Sequence, residues 1–329
     1  MLQRNETETY VQFMKRVIAA VENDEIGYPE MGDLLLGNRN TYSSDNIRKA
    51  YYFLSKVCDN INDDELKQYS GYNITNRILC ASDFHFPFHL PVEVFEKYRG
   101  CVDTLVLCGD LIDLVQISKF KCVRRNTPME DVIGLRAYLI ELIEYLNPKE
   151  VIANAGNHEW RFGKYLDNKL ENDMSEFLPK TPLDLIFESG FYHYDHQEKK
   201  KTWYDSLVKA FPDKKILYSG TWYNQIGDTI FVHPNAFSSG TLKTSERAMD
   251  YFLREGKQFK NLVMAHVHRR ASSDVGNISL IECGCCCDVE KNNYRDGSLV
   301  STQKEGYVYL CQDENGNTIK ELTRLEKLN

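Results

Sequence analysis

The strongest constraint on this chain is a short apolar run that stops at two metal-binding side chains. Residues 78–85 read Ile-Leu-Cys-Ala-Ser-Asp-Phe-His, a run too short for a stable helix. Such a run predicts a buried strand, with Asp83 and His85 at the carboxyl end, where open α/β sheets place their ligands. Because alternate residues of an extended segment point the same way, one ion could contact both side chains. Taken alone, this pair is more typical of a capped turn.

Four further predicted strands carry the same kinds of side chain at their ends. A Gly-Asp-Leu-Ile-Asp run follows the strand at 104–108, and a Gly-Asn-His-Glu run follows the strand at 151–154. His233 follows the strand at 229–232, and a His-Val-His run follows the strand at 262–265. Chance does not readily produce five such strand ends in one chain. The five stretches together therefore predict one metal-dependent site.

The order of these motifs resembles that of the calcineurin-like metallophosphoesterase family. The family pattern is Asp-x-His, Gly-Asp-x-x-Asp, Gly-Asn-His-Glu, His and Gly-His-x-His, and the resemblance covers about residues 78–290. By this resemblance two divalent ions are expected, with these ligands: Asp83, His85 and His268 for one ion, Asn157, His233 and His266 for the other, and Asp110 for both. The helical module in front of the domain is similar to phage- or prophage-type members, some of them nuclease-like.

Two departures from the family pattern affect the backbone near the expected ions. Ala265 stands where the family usually has Gly, and Pro234 follows His233 where Gly is common. Neither changes a ligand. Mixed imidazole and oxygen ligands favour transition metals, so we expect manganese, with iron, zinc or nickel as alternatives. An amide ligand such as Asn157 adds no negative charge that would repel a phosphate.

The residues beside the expected ligands have roles that the sequence leaves partly open. His158 suits a general acid that protonates a departing alkoxide, since imidazole titrates near neutrality; the alternative is a loop histidine that only packs. Asp113 and Glu159 could orient histidines, and turn or capping roles fit equally well. Arg161 could bind phosphate oxygens, as could the arginines at 269–270, with surface salt bridges as the alternative.

Residues 1–70 predict a small helical module in front of a phosphoesterase domain at 77–329. Apolar residues recur at helical spacing in three segments, the last beginning near Asn46 after a run of N-cap candidates. This third helix carries Arg48 and Lys49 after a polar turn, which is typical of a helix-turn-helix that reads DNA. The alternative is a structural cap on the catalytic domain.

Composition excludes several classes of protein. Hydrophobic residues make up 42% and charged residues 27%, as in ordinary globular domains. The net charge of −8 argues against a surface that coats nucleic acid, although a local basic patch stays compatible with it. The sequence lacks an apolar run of about 18 residues and the apolar core of a signal peptide. We therefore expect no membrane contact, a cytoplasmic location and reduced thiols, with the cysteine run at 283–287 as a packed strand end.

Beyond residue 77, apolar runs alternate with helical patterns, which predicts a layered α/β sandwich. The family resemblance specifies two mixed sheets flanked by helices. Further strands are expected at 222–226, 278–283 and 306–311, and helices at 91–98 and 129–146. A long insertion at 162–220 is expected to be charged and partly helical.

These features together predict metal-dependent hydrolysis of phosphate esters. A phosphodiester, including nucleic acid, is the favoured substrate class. The alternatives are a phosphomonoesterase acting on a nucleotide or phosphoprotein, and a DNA-binding regulator with an inactive phosphoesterase domain. The complete set of ligand-type residues favours an enzyme.

Overall fold

The chain forms two units, Met1–Tyr72 and Asn73–Asn329. The structure is a computed structural model that describes residues 10–35, 44–60, 73–118, 126–170, 174, 176–292 and 303–328. Within those ranges, no helix combines the length and apolar character that crossing a bilayer requires.

The described part of the first unit consists of helices α1 (Tyr10–Glu22), α2 (Tyr28–Leu35) and α3 (Ser44–Asn60). Their apolar faces meet in a core that includes Val17, Met31 and Ile47, as expected for stripes at helical spacing. Arg48 and Lys49 lie on the exposed side of α3, and both pair with Asp45 of the same helix, at 3.3 and 2.6 Å. DNA binding by this unit stays a prediction.

The second unit is built from strands and a few helices. The strands are β1 (Ile74–Ala81), β2 (Thr104–Cys108), β3 (Glu150–Asn154), β4 (Phe191–Asp195), β5 (Lys200–Tyr204), β6 (Lys215–Tyr218), β7 (Tyr223–Ile226), β8 (Thr229–Val232), β9 (Asn261–Met264), β10 (Arg270–Val275), β11 (Ile278–Cys283), β12 (Gly306–Asp313) and β13 (Arg324–Lys327). The α-helices are α4 (Pro128–Leu146), α5 (Trp160–Asp167), α6 (Leu207–Ala210) and α7 (Lys243–Arg254). Short 3-10 turns lie at Val92–Tyr98, Val115–Ile117 and Lys320–Leu322, and a π-helical turn lies at Asp184–Ser189.

Two mixed sheets form the centre of this unit. The larger has strand order β13-β12-β1-β2-β3-β6, in which β1, β2, β3 and β6 are parallel and β12 is antiparallel to β1. The smaller has order β10-β11-β9-β8-β7, in which β8, β9 and β11 are parallel. Strands β4 and β5 make a separate hairpin.

Apolar side chains fill the spaces between four layers. One core cluster joins the larger sheet to helix α4 and includes Leu105 and Leu139. A second lies between the sheets, where Ile78 and Phe231 meet. A third covers the outer face of the smaller sheet with α7, through Phe252. The predicted sandwich of two mixed sheets flanked by helices is confirmed.

Helix α4 shows how the sequence sets an element boundary. The Thr127 hydroxyl accepts from the Glu130 amide at 3.2 Å, and the Glu130 carboxylate accepts from the Thr127 amide at 2.6 Å. This capping box, with Pro128 in the first turn, satisfies amides that would otherwise lack partners. Asn147, in the left-handed region at φ 50°, ends the helix.

The expected elements differ from the structure in several places, and the sequence does not predict strands β10 and β13. The segment expected as a helix at 91–98 is a 3-10 turn. Strand β1 ends at Ala81, before Ser82. The insertion at 162–220 contains β4, β5 and β6 besides short helices. Strand β6 buries only one of its four residues, so its sequence shows little hydrophobic pattern. Its strand conformation is set by parallel pairing with β3.

Candidate active site

The carboxyl ends of five strands from both sheets meet at one edge of the sandwich. Strands β1, β2 and β3 of the larger sheet and β8 and β9 of the smaller sheet each end beside a predicted ligand. Parallel strands expose their carboxyl ends on the same side, so the predicted side chains lie together.

Asp83, His85 and His268 form the first group of ligand-type atoms, which lie within 4.8 Å of one another. The His268 Nε2 atom is 3.1 Å from Asp83 Oδ1 and 3.0 Å from His85 Nε2. Asp83 Oδ2 accepts from the Ser82 hydroxyl and from the backbone amide of His266. Oδ1, in contrast, is buried and accepts no hydrogen bond within the described residues. A buried carboxylate oxygen that faces two imidazole nitrogens fits a cation.

The second group contains Asp110, His233 and His266, also within 4.8 Å. His233 Nε2 is 3.2 Å from Asp110 Oδ2 and 3.4 Å from Asn157 Oδ1. The Nδ1 atom of His233 is 2.8 Å from the Cys108 carbonyl, which fixes the ring with Nε2 directed into the group. Asn157 and His266 are partly exposed, so this group faces the open side of the site.

Asp110 lies between the two groups. Its Oδ2 atom is 3.2 Å from His233 Nε2 and 3.9 Å from His85 Nε2. The structure therefore brings together all seven side chains that the sequence predicts as ligands. Their assignment as metal ligands, and that of Asp110 as the ligand shared by both ions, stays a prediction.

The backbone at these strand ends is not extended. Positive φ angles occur at five of the predicted ligands: Asp83 (53°), His85 (47°), Asp110 (51°), His266 (73°) and His268 (51°). The expectation that Asp83 and His85 meet by simple alternation along a strand is therefore wrong, because the chain turns after Ala81. Left-handed non-glycine residues are uncommon and concentrate at functional sites.

Two glycines allow the loops to approach closely. A Cβ atom on Gly156 would collide with the amide and carboxylate of Asp110. Gly109 has φ +76°, and a Cβ atom there would lie 2.6 Å from His233 Nδ1. Both positions therefore require glycine, since no side chain fits between the loops.

Glu159 has a role that sequence reasoning missed. Its buried carboxylate accepts four backbone amides: from Asp110 (3.0 Å) and Gly156 (2.7 Å) on Oε2, and from Leu111 (2.7 Å) and Ile112 (3.2 Å) on Oε1. Burial and the Asp110 charge raise its pKa, while these amides act in the opposite direction. Glu159 thus joins the loops after β2 and β3. The turn-forming interpretation describes it better than orientation of a histidine.

Asp113 does contact histidines. Its Oδ1 atom is 3.1 Å from His158 Nδ1 and 3.7 Å from His85 Nδ1. Burial opposes ionisation of Asp113, but the two imidazoles outweigh it and lower its pKa. The His158 Nε2 atom points toward Asp110 Oδ2, at 3.7 Å, and Arg161 Nη2 lies 2.7 Å from the same nitrogen. Asp113 therefore orients His158 toward the ligand groups.

The other two arginines are used elsewhere. Arg269 donates to the backbone carbonyls of Ser238, Ser239 and Gly240, and Arg270 donates to that of Glu305. Both therefore support loops. Of the three arginines considered from sequence, Arg161 is the one directed at the site.

Neighbouring charges separate the pKa values of the histidines. Burial lowers the pKa of His85 to about 4, and His158 adds to this effect. Burial likewise lowers the pKa of His266 to about 4. At His268 burial acts in the same direction, but the Asp83 carboxylate outweighs it and raises the pKa to about 9. Protons compete with a metal for the imidazoles, so metal affinity is expected to fall as pH falls.

The cysteine run is buried beside the first group. Cys286 donates its amide to the Ser82 carbonyl at 2.9 Å, and Cys283 Sγ lies 3.1 Å from Ser82 Oγ. Cys285 and Cys287 lie within 4.8 Å of His268 and form a further group of ligand-type atoms. The four cysteines of this run are free thiols.

The sequence matches one known protein family. A family model for calcineurin-like phosphoesterases matches residues 76–270 of the chain. A comparison with curated proteins finds no match.

Several solved structures are similar to this chain at low identity and low TM-score. Vps29 from Entamoeba histolytica, complexed with zinc, is 13% identical, with 77% of this chain and 98% of that chain covered and a TM-score of 0.37. A novel archaeal phosphodiesterase is 15% identical, with 74% and 97% covered and a TM-score of 0.33. A metallophosphoesterase from Sphaerobacter thermophilus is 14% identical, with 74% and 88% covered and a TM-score of 0.34. Because the family model spans more than half of the sequence, the chain belongs to the calcineurin-like phosphoesterase family.

Proposed function

We propose that this chain hydrolyses phosphodiesters with two divalent transition-metal ions. The supporting observation is the pair of ligand groups that meet at Asp110, whose Oδ2 atom is within 4 Å of histidines from both. Asp83, His85 and His268 would bind one ion, and Asn157, His233 and His266 the other. Two such ions orient a phosphate, activate water and neutralise charge on the phosphate oxygens. Manganese is the expected metal, with iron, zinc or nickel as alternatives.

His158 is proposed as the general acid. Asp113 faces its Nδ1 atom at 3.1 Å, which leaves Nε2 as the nitrogen that can give a proton to a leaving alkoxide. In the structure the Arg161 guanidinium occupies Nε2 at 2.7 Å. Since a guanidinium only donates, Nε2 is the acceptor in this arrangement. A phosphate oxygen that attracts Arg161 would free Nε2, which would then take up a proton from solvent before it could give one to the leaving alkoxide, so substrate binding would precede protonation of the acid.

Arg161 is the arginine proposed to bind the substrate phosphate. It reaches the site, whereas Arg269 and Arg270 donate to backbone carbonyls. Its guanidinium and the two ions would meet a diester and a monoester alike, so the preference for a diester is tested by comparing the two kinds of ester.

The decisive experiment measures metal content and ester hydrolysis together. Protein purified with manganese should contain two ions per chain and should hydrolyse bis-p-nitrophenyl phosphate faster than mono-p-nitrophenyl phosphate. The opposite preference would assign the chain as a phosphomonoesterase. Failure to hydrolyse either ester would favour the alternative of a DNA-binding regulator with an inactive phosphoesterase domain. A metal content below one ion per chain would contradict the proposal of a two-metal site.

Two variants separate metal binding from proton transfer. Asp110→Ala should lose metal and activity together, because this carboxylate would contact both ions, while Asp250→Ala, at an exposed position, should lose neither. His158→Ala should keep both ions and lose roughly 10²–10⁴-fold in turnover on an ester with a basic leaving group. The loss should be smaller for p-nitrophenyl esters, since p-nitrophenolate leaves without a proton. His196→Ala, on an exposed turn, is the matched control. Two results would reject the assignment of His158 as the general acid. One is loss of a metal ion in His158→Ala, and the other is equal slowing on the ester with a basic leaving group and on the p-nitrophenyl ester.

A further inference from the structure

The β4–β5 hairpin presents an unusual exposed face. Its antiparallel register pairs Tyr192 with Trp203 and Tyr194 with Lys201. Because side chains alternate along a strand, these four residues project from the same face. The three aromatic side chains are 57%, 39% and 44% exposed for Tyr192, Trp203 and Tyr194. Exposed aromatic residues grouped in this way are typical of a binding surface.

The opposite face of the hairpin fixes its orientation. Phe191 is buried and stacks on Tyr204, with ring centroids 5.2 Å apart. Arg136 of α4 lies over the Tyr204 ring and donates to the Asp205 carbonyl at 2.6 Å. The hairpin is therefore anchored to the helical layer by one face, and the other face is directed outward.

Lysines accompany the outward rings. Lys201 Nζ is 3.9 Å from the Tyr192 ring centroid, and Lys209 Nζ is 5.6 Å from that of Trp203. Two carboxylates lie nearby and keep their charge: Asp195 accepts from two amides of the turn, and Asp205 accepts from Trp203 Nε1 at 2.7 Å. The two amines lie at the rings themselves and place positive charge there, in a chain whose net charge is −8.

We propose that this aromatic face, formed by Tyr192, Tyr194, Trp203, Lys201 and Lys209, binds single-stranded nucleic acid. Unpaired bases stack on aromatic rings, and lysines pair with the phosphates between them. Protein interfaces are also rich in Tyr and Trp but are depleted of Lys, so the amines favour a polyanion over a protein partner. The inference rests on the proposed phosphodiesterase function and names single-stranded nucleic acid as its substrate class.

Fluorescence anisotropy of a labelled short oligothymidylate tests this assignment on the full, metal-loaded chain. Phosphorothioate linkages keep the probe intact during the measurement. We expect Tyr192→Ala/Trp203→Ala to weaken binding by roughly 5-fold to 100-fold, the range for losing base stacking. Lys201→Gln/Lys209→Gln should weaken binding and reduce its dependence on salt. Phe177→Ala removes an aromatic ring that is 85% exposed but lies outside the hairpin, so its affinity should not change.

Trp203 packs over Gly190, so its removal could disturb the hairpin itself. Trp203→Phe keeps a stacking ring and should retain most of the affinity, and the lysine pair provides an independent test. Hydrolysis of bis-p-nitrophenyl phosphate should be unchanged in every variant. This control separates the two proposals, because failure of the wild type on the small ester would count against the proposed function alone.

Absence of oligothymidylate binding by the wild type, or equal affinity in all variants, would overturn the assignment. If the wild type instead self-associates and Tyr192→Ala/Trp203→Ala abolishes this without any effect on the oligonucleotide, the face binds a second copy of the chain. That result would also overturn the proposal.

Discussion

Replacing Glu159 by Gln tests whether this buried carboxylate joins the two central loops of the site. The carboxylate accepts four amides, two on each oxygen, from Asp110, Leu111, Ile112 and Gly156. In Glu159→Gln the amide oxygen can still serve one pair. The new NH₂ group would face the other pair, and a donor cannot satisfy donors.

The magnitude follows from the two amides that lose their acceptor. A buried donor without a partner costs about 1–3 kcal/mol, so two such donors cost about 2–6 kcal/mol. Removing a buried charge returns part of this cost, because desolvation of an ion takes several kcal/mol. We therefore expect a net loss of about 2–4 kcal/mol in the free energy of unfolding, and a fall in Tm of roughly 5–15 °C for a unit of this size.

Urea unfolding of the metal-loaded protein, monitored by circular dichroism, measures this loss directly. Glu188→Gln, at an exposed position, is the matched control and should change stability by less than about 0.5 kcal/mol. The manganese affinity should also fall in Glu159→Gln, since the amide of the proposed bridging residue Asp110 is one of the four donors. A change in stability no larger than that of the control would refute this account of Glu159.

Three further predictions concern other parts of the chain. Asp103→Asn should destabilise the protein by about 1–2 kcal/mol at pH 7. Burial would raise the pKa of Asp103, but its hydrogen bonds with Arg77 and Lys149 outweigh burial and lower the pKa from 3.8 to about 2. The contribution is therefore present above pH 3.8 and is lost as pH falls toward 2, and acid titration of both proteins checks this window. Gly156→Ala should displace Asp110 and abolish metal binding, measured by elemental analysis, with retained secondary structure. Deletion of residues 1–70 should leave small-ester hydrolysis unchanged. A gel-shift assay in which the deletion weakens duplex DNA binding would support the helix-turn-helix, and unchanged affinity would favour the structural cap.

Much of the fold could be predicted because its central strands are continuous apolar runs. Strands β2, β8 and β11 begin and end at the predicted residues, since a strand buried on both faces contrasts sharply with the polar loops around it. Membership of the calcineurin-like family, predicted from five motifs in order, is confirmed. Similarity to phage-type members and a cytoplasmic location stay predictions.

The missed features depend on tertiary contacts rather than local pattern. Strands β6 and β13 lie at sheet edges and are partly exposed, so their sequences resemble loops. The role of Glu159 could not be derived because its partners are backbone amides, which leave no trace in residue identity. The capping interpretation was the only available signal, and it did not identify the loop after β2.

Backbone strain explains why the site depends so strongly on the four backbone amides that donate to Glu159. Five predicted ligands are left-handed, at about 1–2 kcal/mol each, or about 5–10 kcal/mol together, which is comparable with the stability of a whole domain. All five are Asp or His, which tolerate this conformation better than most residues, so the true cost lies toward the lower end. Hydrogen bonds offset this conformational cost. The Asp83 amide donates to the Gly109 carbonyl, the His85 amide donates to the Asp110 carbonyl, and four backbone amides donate to the Glu159 carboxylate. The same side chains that suit metal ions are thus those that the turned backbone accepts at least cost.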